Sequence, residues 1–160
     1  MPTAPDILIR PFRPGDEAVF RSLNEAWITR YFVLEAKDRA VLGDPQKYIL
    51  QPGGQILFAQ LADDLVGCCA LMRLDSETFE IAKMAVAESS QGRGIGKLLM
   101  QASIDFARQL KARRLYLETN SKLAPALRVY AHFGFRTLDE SSLPPSPYAR
   151  ADVRMELLLD

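Results

Sequence analysis

Residues 91–99 read QGRGIGKLL and join a predicted strand to a predicted helix. Three glycines, Gly92, Gly94 and Gly96, alternate with other residues, and an apolar stripe of helical spacing follows at once. Glycine lets the backbone adopt conformations closed to other residues and leaves its amides unobstructed. Amides that face inward before a helix N-terminus bind anions, and Arg93 adds positive charge. The stretch therefore predicts a phosphate or pyrophosphate site.

Two common phosphate-binding loops do not fit this spacing. A P-loop has four residues between its glycines and then Lys-Ser/Thr, because the hydroxyl binds magnesium. Here three residues separate Gly92 from Gly96, and Lys97 is followed by Leu98. A dinucleotide loop needs its third glycine three positions after the second, where Lys97 stands. Two alternatives remain: a loop that holds a pyrophosphate without hydrolysing it, and a flexible turn.

The composition predicts one globular domain over residues 1–160. Of the 160 residues, 48% are hydrophobic and 25% are charged, and the 20 basic side chains balance the 20 acidic ones. A net charge of zero gives no general attraction to nucleic acid or to a membrane, so we expect neither partner. Without a signal peptide or a membrane-spanning run at the start or elsewhere, we expect a cytoplasmic protein.

The two cysteines and the single histidine predict no metal site. Cys68 and Cys69 are adjacent, so in a strand they point to opposite faces and serve as small core residues. A covalent acyl carrier at one of them is the less favoured alternative. His132 lies two positions from Tyr130, so on a helix it points away from that tyrosine, and we expect it at the surface.

The order of predicted elements indicates an α+β fold. Apolar periodicity predicts strands at 7–12, 55–61, 66–74, 78–86, 114–119 and 153–159. The same criterion predicts helices at 16–32, 95–110 and 123–133, with a short one after Asp44. The three consecutive strands form an antiparallel meander, and the strand–helix–strand unit over 78–119 makes its two strands parallel.

Three segments resemble one known family. Residues 84–100, MAVAESSQGRGIGKLLM, are similar to the acetyl-CoA-binding signature Gln/Arg-x-x-Gly-x-Gly/Ala of the GNAT N-acetyltransferases. LYLETN at 115–120 resembles the strand that follows in that family, and ALRVYAHFGF at 126–135 resembles its helix ending in Tyr-x-x-x-Gly-Phe. The resemblance implies a GNAT-like fold with a mixed, mostly antiparallel, twisted sheet of six or seven strands, about four helices and one parallel crossover.

The resemblance implies an acetyl-CoA-dependent N-acetyltransferase. It would move an acetyl group to a primary amine of a small molecule or protein by direct attack in a ternary complex. A non-catalytic module that binds or senses acyl-CoA is the alternative. The strands at 78–86 and 114–119 would splay apart to admit the pantetheine arm. The implied acetyl-CoA-binding residues are Met84, Ala85, Val86, Gln91, Gly92, Arg93, Gly94, Ile95, Gly96, Lys97, Asn120 and Tyr130.

Acyl transfer from a thioester to an amine requires a base, charge stabilisation at the carbonyl oxygen and a proton for the departing thiolate. Tyr130 stands where the family keeps its general acid, and a phenol (pKa ~10) can supply a proton to a thiolate (pKa ~8.5). We expect the oxygen to be stabilised by a backbone amide near Met84 or Ala85.

Glu80 is the predicted base. We expect it on the same strand face as Ala82, Met84 and Val86, where apolar neighbours raise the pKa of a carboxyl group. Its position resembles that of the family's glutamate base. A solvent-exposed edge glutamate is the alternative reading of this residue, and Glu118 or a chain of waters is the alternative base.

The N-terminal helical region walls the acceptor cleft in this family. The resemblance implies acceptor contacts for Trp27, Tyr31, Phe32 and Glu35. Glu35 and Asp38 could bind a cationic amine, and a substrate carboxylate could bind an arginine; the arginines considered are Arg30, Arg73 and Arg150. A homodimer through the C-terminal strands is a further hypothesis.

Overall fold

Apolar alternation and turn residues divide the chain into seven strands and four α-helices in the computed structural model, which describes residues 6–160 apart from the Ser142 side chain. The strands are β1 (Ile7–Pro11), β2 (Gln55–Leu61), β3 (Asp64–Arg73), β4 (Thr78–Val86), β5 (Arg114–Thr119), β6 (Arg136–Thr137) and β7 (Val153–Leu158). The α-helices are α1 (Glu17–Tyr31), α2 (Ala36–Gly43), α3 (Ile95–Gln109) and α4 (Ala124–His132).

The helices follow local signals. At α2, Glu35 and Asp38 form a capping box, which starts an unpredicted helix ahead of the short helical segment that we predicted after Asp44. A π-helical turn, Gln46–Leu50, follows α2, so two short helical segments occupy this region. The longest described helices, α1 and α3, have 15 residues each, and no described helix is long and apolar enough to cross a bilayer.

The strands form one sheet in the order β1-β2-β3-β4-β5-β7-β6. Every neighbouring pair is antiparallel except β4 and β5, which are parallel and connected through α3. The predicted meander and the predicted parallel crossover are therefore confirmed. The short β6 strand adds a seventh strand at the edge of the sheet.

Two apolar cores cover the two faces of the sheet. One contains Leu99 and Ile104 of α3, and the other contains Phe20 and Ile28 of α1. Successive residues of β3 alternate between these cores, since Cys69 belongs to the first and Cys68 to the second. Both cysteines have no exposed surface, which confirms their predicted place in the core.

The parallel strands β4 and β5 separate halfway along their length. They pair from Thr78↔Arg114 to Ile81↔Leu117, and no pairing continues between the described residues beyond that point. The remaining part of β4, residues 82–86, keeps β3 on one side and leaves its other edge open toward β5. This divergence creates a slot through the sheet, as the resemblance implied.

A bulge in β4 corrects one expectation about Glu80. Cys68 pairs with Ala85 and Ala70 pairs with Ala82, so two residues of β4 stand opposite one residue of β3. The extra residue reverses the alternation of faces. As a result Met84 and Val86 pack on the α3 core, whereas Glu80 pairs across the sheet with Met72, which packs on the α1 core. The prediction that Glu80 shares a face with Met84 and Val86 was wrong, whereas Ala82, which pairs with Ala70 of the α1 core, does lie on the Glu80 face.

Candidate active site

One cavity of about 640 Å³ occupies the slot between β4 and β5. It is bordered by the end of α1, by the glycine loop before α3, by the start of α4 and by residues 148–151. Among the predicted site residues, its lining includes Trp27, Tyr31, Phe32, Glu80, Met84, Ala85, Val86, Gln91, Gly92, Gly94, Ile95, Gly96, Lys97, Glu118, Asn120 and Tyr130. The fold therefore brings the predicted loop and both predicted catalytic side chains to a single cavity.

The glycine loop presents backbone to this cavity. Gly92 and Gly94 have φ of +82° and +77°, the left-handed region that favours glycine. Gly94 is the N-cap of α3, and no side chain caps that end. A Cβ on Gly96 would meet no atom within 4 Å, so no packing within the protein requires a glycine there. Open space before uncapped helix amides fits a diphosphate group.

Two predicted loop residues differ in what they can contribute. The Gln91 side chain donates a hydrogen bond to the Val86 carbonyl oxygen (3.3 Å), which joins the loop to β4. Arg93 is exposed and is not part of the cavity lining, so the positive charge expected from it lies outside the cavity. Lys97, in the first turn of α3, is the basic side chain that lines this end.

Glu80 and Glu118 face the opposite part of the cavity. Burial and, secondarily, the negative charge of Glu118 raise the pKa of Glu80 to about 7. No described residue donates a hydrogen bond to the Glu80 carboxylate. Glu118 differs, because it accepts hydrogen bonds from the hydroxyl groups of Tyr116 (2.8 Å) and Ser146. Glu80 is therefore the carboxyl group better suited to accept a proton near neutral pH.

Tyr130 reaches the cavity from α4. Burial raises the pKa of Tyr130 to about 12, and a hydrogen bond with the Thr119 side chain opposes part of this rise. The helix ends two residues after Tyr130, at His132, and Gly134 just beyond it adopts a φ of +93°. Because of the raised pKa, the phenol holds its proton at any ordinary working pH.

The Asn120 side chain bonds mainly to the protein. Its amide nitrogen donates to the Arg150 carbonyl oxygen (2.7 Å), and its oxygen accepts from the Lys122 amide (2.9 Å). These bonds fix the turn after β5 and attach residue 150 to it. The second amide hydrogen has no partner among the described residues, and contact between Asn120 and a cofactor remains a prediction.

The residues suggested for acceptor recognition separate into two groups. Trp27, Tyr31 and Phe32 line the cavity, whereas Glu35 does not, because it caps α2 and accepts a hydrogen bond from the Ala149 amide (2.9 Å). The suggestion that Asp38 binds a free amine does not fit the structure, since this carboxylate is fully buried and bonded to protein cations.

The arginines suggested for a substrate carboxylate also have other contacts. Arg150 lines the cavity but donates two hydrogen bonds to Asp38. Arg30 pairs with Glu88 at the surface, and Arg73 donates to the Ser76 carbonyl oxygen. Neither of the latter two lines the cavity.

Among the cavity residues that sequence reasoning missed are two with ionisable side chains deep in the site, Lys83 and Tyr148. Lys83 forms an ion pair with Asp38 (2.6 Å), and its ammonium group donates to the Tyr148 hydroxyl (3.0 Å). Residue 148 falls in a Pro-rich stretch whose pattern predicts only a turn. No periodicity distinguishes Lys83 from an ordinary strand lysine, because its environment depends on α2, which is distant in sequence.

The two thiols do not join this chemistry. Burial raises the pKa of Cys69 to about 12 and raises that of Cys68 well above its usual range. Neither cysteine lines the cavity. A covalent acyl-cysteine route therefore has no geometric support.

Comparisons with known proteins point to one family. A sequence model of the acetyltransferase (GNAT) family matches residues 16–135. YvbK of Bacillus subtilis (strain 168), described as an uncharacterized N-acetyltransferase, is 33% identical over 105 residues, which make up 64% of this chain and 68% of YvbK. The chain spans 58–68% of the length of three curated relatives that it matches.

Solved structures share the fold over nearly the whole chain. A GNAT family acetyltransferase from Staphylococcus aureus MU50 has a TM-score of 0.87 and 22% identity, covering 97% of this chain and 100% of that one. A GNAT family acetyltransferase from Elizabethkingia anophelis with acetyl-CoA bound has a TM-score of 0.63 and 24% identity, covering 96% and 98%.

Proposed function

The chain belongs to the acetyltransferase (GNAT) family, and from this premise we propose that it is an N-acetyltransferase using acetyl-CoA. The acceptor is a primary amine of a small molecule or a protein. We propose direct attack by the amine in a ternary complex, within a single domain over residues 1–160 that acts in the cytoplasm. Tyr130 and Glu80 are the proposed catalytic residues.

The observation that carries this proposal is the single cavity that joins the glycine loop to Glu80 and Tyr130. A cofactor that bridges these features must be long, anionic at one end and reactive at the other. When bound, acetyl-CoA supplies a thioester whose carbonyl carbon accepts the amine and whose sulfur leaves as a thiolate. Amides of the loop at 91–97 would hold the diphosphate, and the open edge of β4 at Met84–Val86 would bond the peptide-like arm.

Glu80 accepts the proton that the acceptor amine must lose. A primary ammonium group has a pKa of ~10, so at neutral pH most of the acceptor arrives protonated. A carboxyl group with a pKa of about 7 is a stronger base than an ordinary glutamate, and it is still ionised in about half the molecules at pH 7. Glu118 adds negative charge beside it, which favours an approaching cation.

Tyr130 donates a hydrogen bond, and at the end of the reaction a proton, toward the leaving sulfur. A pKa of about 12 makes the phenol a weak acid, but it keeps the proton in place until negative charge develops. The same burial raises the proton affinity of a thiolate, because a low dielectric disfavours any unpaired charge. The pKa of the leaving thiol is therefore raised together with that of Tyr130. The difference between the two is smaller than a comparison of the buried phenol with a thiol in water suggests.

The β4 bulge would supply backbone donors for the carbonyl oxygen of the thioester. Lys83 has a φ of +52°, so the amides around Met84 depart from the regular ladder. A backbone amide held in place by the fold stabilises developing negative charge without reorganising, and removing one such donor typically costs about 10²-fold in kcat. We propose the amide of Met84 or Ala85 for this role.

Tyr130→Phe tests the assignment of the acid. We expect kcat to fall about tenfold, because the sulfur leaves without a proton donor. The Kd for acetyl-CoA is expected to change less than about twofold, since the ring and its packing on Phe135 remain. Steady-state kinetics and calorimetric titration measure the two quantities, and an unchanged kcat would remove Tyr130 from the mechanism.

The proposed function as a whole is tested by thiol detection. Purified protein is mixed with acetyl-CoA and a panel of primary amines that includes small amines and lysine-containing peptides. Thiol release that depends on the amine, with the acetylated product seen by mass spectrometry, is the expected result. Tight acetyl-CoA binding without release by any amine would instead favour the sensing module.

A further inference from the structure

Lys83 adopts a backbone conformation that lysine does not favour. Its φ is +52°, and it stands inside β4, at the bulge. The other described non-glycine residues with positive φ, Ala62 and Lys111, lie in turns. Glycine adopts such a conformation without steric cost, and asparagine tolerates it better than lysine does. The backbone conformation at residue 83 therefore does not by itself account for a lysine there.

The Lys83 side chain is buried among specific partners. Only 4% of it is exposed, and its ammonium nitrogen lies 2.6 Å from an Asp38 carboxylate oxygen. The same nitrogen donates to the Tyr148 hydroxyl (3.0 Å) and lies 4.4 Å from the centre of the Tyr148 ring. An ammonium group so enclosed has little surface to offer an acceptor, so its main contribution is to the arrangement of its neighbours.

Asp38 connects Lys83 to two further parts of the chain. The fully buried carboxylate accepts two hydrogen bonds from Arg150, both 2.7 Å, and one from the Glu35 amide (2.9 Å). Burial alone would raise the pKa of Asp38, but the bonds from Arg150 and Lys83 outweigh it and hold that pKa well below its usual range. The carboxylate therefore stays ionised and keeps both cations bound.

This cluster, Asp38 with Lys83, Tyr148 and Arg150, joins two cavity-lining parts of the chain to α2, which lies behind them outside the cavity lining. Asp38 belongs to α2, Lys83 to the bulge of β4, and the other two to the segment 144–151. The same segment is bonded to β5, because the Ser146 hydroxyl donates to Glu118. Glu80 stands three residues before Lys83 on β4 and pairs with Tyr116 of β5, two residues before Glu118.

The electrostatic surroundings of Glu80 include Lys83. Burial and Glu118 raise the pKa of Glu80, whereas the positive charges of Lys37 and Lys83 lower it. The titratable groups that act on or respond to Glu80 are Glu118 and Tyr116 of β5, Lys37 of α2, Lys83 of β4 and Tyr148 of the segment 144–151. Two cations thus oppose one carboxylate and the effect of burial.

Resting on the function proposed above, we propose that Lys83 is a positioning residue of the reaction centre. Through Asp38 and Tyr148 it holds the β4 bulge, α2 and the segment 144–151 in register around Glu80, and it does not touch the acceptor. The bulge carries the proposed backbone donors, and Tyr148 and Arg150 of the segment line the cavity. One buried cation thereby fixes both sides of the site.

Lys83→Met tests this role, because methionine has a similar length and no charge. The Glu80 carboxyl, followed by carbon-13 NMR in the free protein, is expected to titrate about half a pH unit higher. At pH 7 we expect kcat/KM for the amine to fall about five- to tenfold, with the KM for acetyl-CoA within about twofold of wild type. Lys111→Met is the matched control, since Lys111 also has a positive φ (+61°) but is exposed, and neither readout should change.

An unchanged Glu80 titration together with an unchanged kcat/KM for the amine would overturn the proposal, as would an equal loss of acetyl-CoA affinity. If wild-type protein binds acetyl-CoA but acetylates no amine, the proposed function fails, and the NMR titration still decides the role of Lys83. Should Lys83→Met not fold, Tyr148→Phe removes one of its hydrogen-bond partners. The KM for the amine is then expected to rise about threefold with kcat retained, and no rise would count against the proposal.

Discussion

Glu80→Gln is expected to lower kcat/KM for amine acetylation by about 10²- to 10³-fold at pH 8. Glutamine keeps the shape of the side chain but cannot accept the proton of the ammonium group. In wild type the base must be ionised, so the rate should fall about tenfold per pH unit below the Glu80 pKa of about 7. This acid limb should be absent in the variant, as measured by kcat/KM from pH 5.5 to 9. The acceptor amine titrates in both proteins, so the difference between the two profiles isolates the carboxyl group.

Glu118→Gln is the matched comparison for this experiment. The negative charge of Glu118 helps to raise the Glu80 pKa. Removing that charge should therefore move the acid limb to lower pH without abolishing the limb. Loss of the Tyr116 and Ser146 hydrogen bonds makes a moderate decrease in rate expected as well. If Glu118→Gln abolishes the limb and Glu80→Gln does not, Glu118 is the base. If both variants keep the acid limb, neither carboxylate is the base, and the acceptor amine loses its proton to water.

The fold was predictable wherever one local rule sets an element. The strands at Gln55–Leu61, Thr78–Val86 and Arg114–Thr119 match their predicted bounds, because alternating apolar residues end at clear turn signals. The parallel pairing followed from the length of the crossover alone. The start of α2 was missed because its capping box depends on Glu35 and Asp38 in a segment with little apolar periodicity.

The site was predictable only where a motif is contiguous in sequence. The glycine loop and Tyr130 lie in such motifs, and both line the cavity. A strand bulge leaves no mark in the apolar pattern, so the face assigned to Met84 was wrong. The Asp38–Lys83 ion pair joins residues 45 positions apart, and no local pattern specifies such a contact.

The wrong expectations about charged residues share one physical cause. Asp38 and Arg150 were considered as groups that bind substrate, but each satisfies the other inside the protein. A charge that is removed from water must be paired, and the nearest partner that folding supplies takes precedence over a substrate that is only sometimes present. The described carboxylates that line the cavity are then Glu80 and Glu118, which places the negative charge next to the proposed point of proton transfer.

The glycine loop offers a way to separate ligand binding from folding. At Gly92 and Gly94 a side chain is disfavoured even without a ligand, because their φ is positive. A substitution there would therefore disturb the fold as well as ligand binding. Gly96 has no positive φ, and a Cβ there would meet no protein atom within 4 Å. It also lies in the first turn of α3, where most residues favour a helix more than glycine does. A side chain at residue 96 is therefore expected to obstruct the bound ligand without destabilising the fold.

Gly96→Val is accordingly expected to weaken acetyl-CoA binding about 30- to 100-fold, because the isopropyl group occupies the space before the helix amides that the diphosphate would fill. Isothermal titration with acetyl-CoA measures the loss, and thermal unfolding without ligand should shift by less than about 3 °C. Gly43→Val is the control, since a Cβ on Gly43 also meets no atom within 4 Å and its φ is not positive, but it lies at the end of α2, outside the cavity. We expect this control to bind acetyl-CoA as wild type does. Wild-type affinity in Gly96→Val would mean that the diphosphate does not approach α3, and the cofactor site would then have to lie elsewhere.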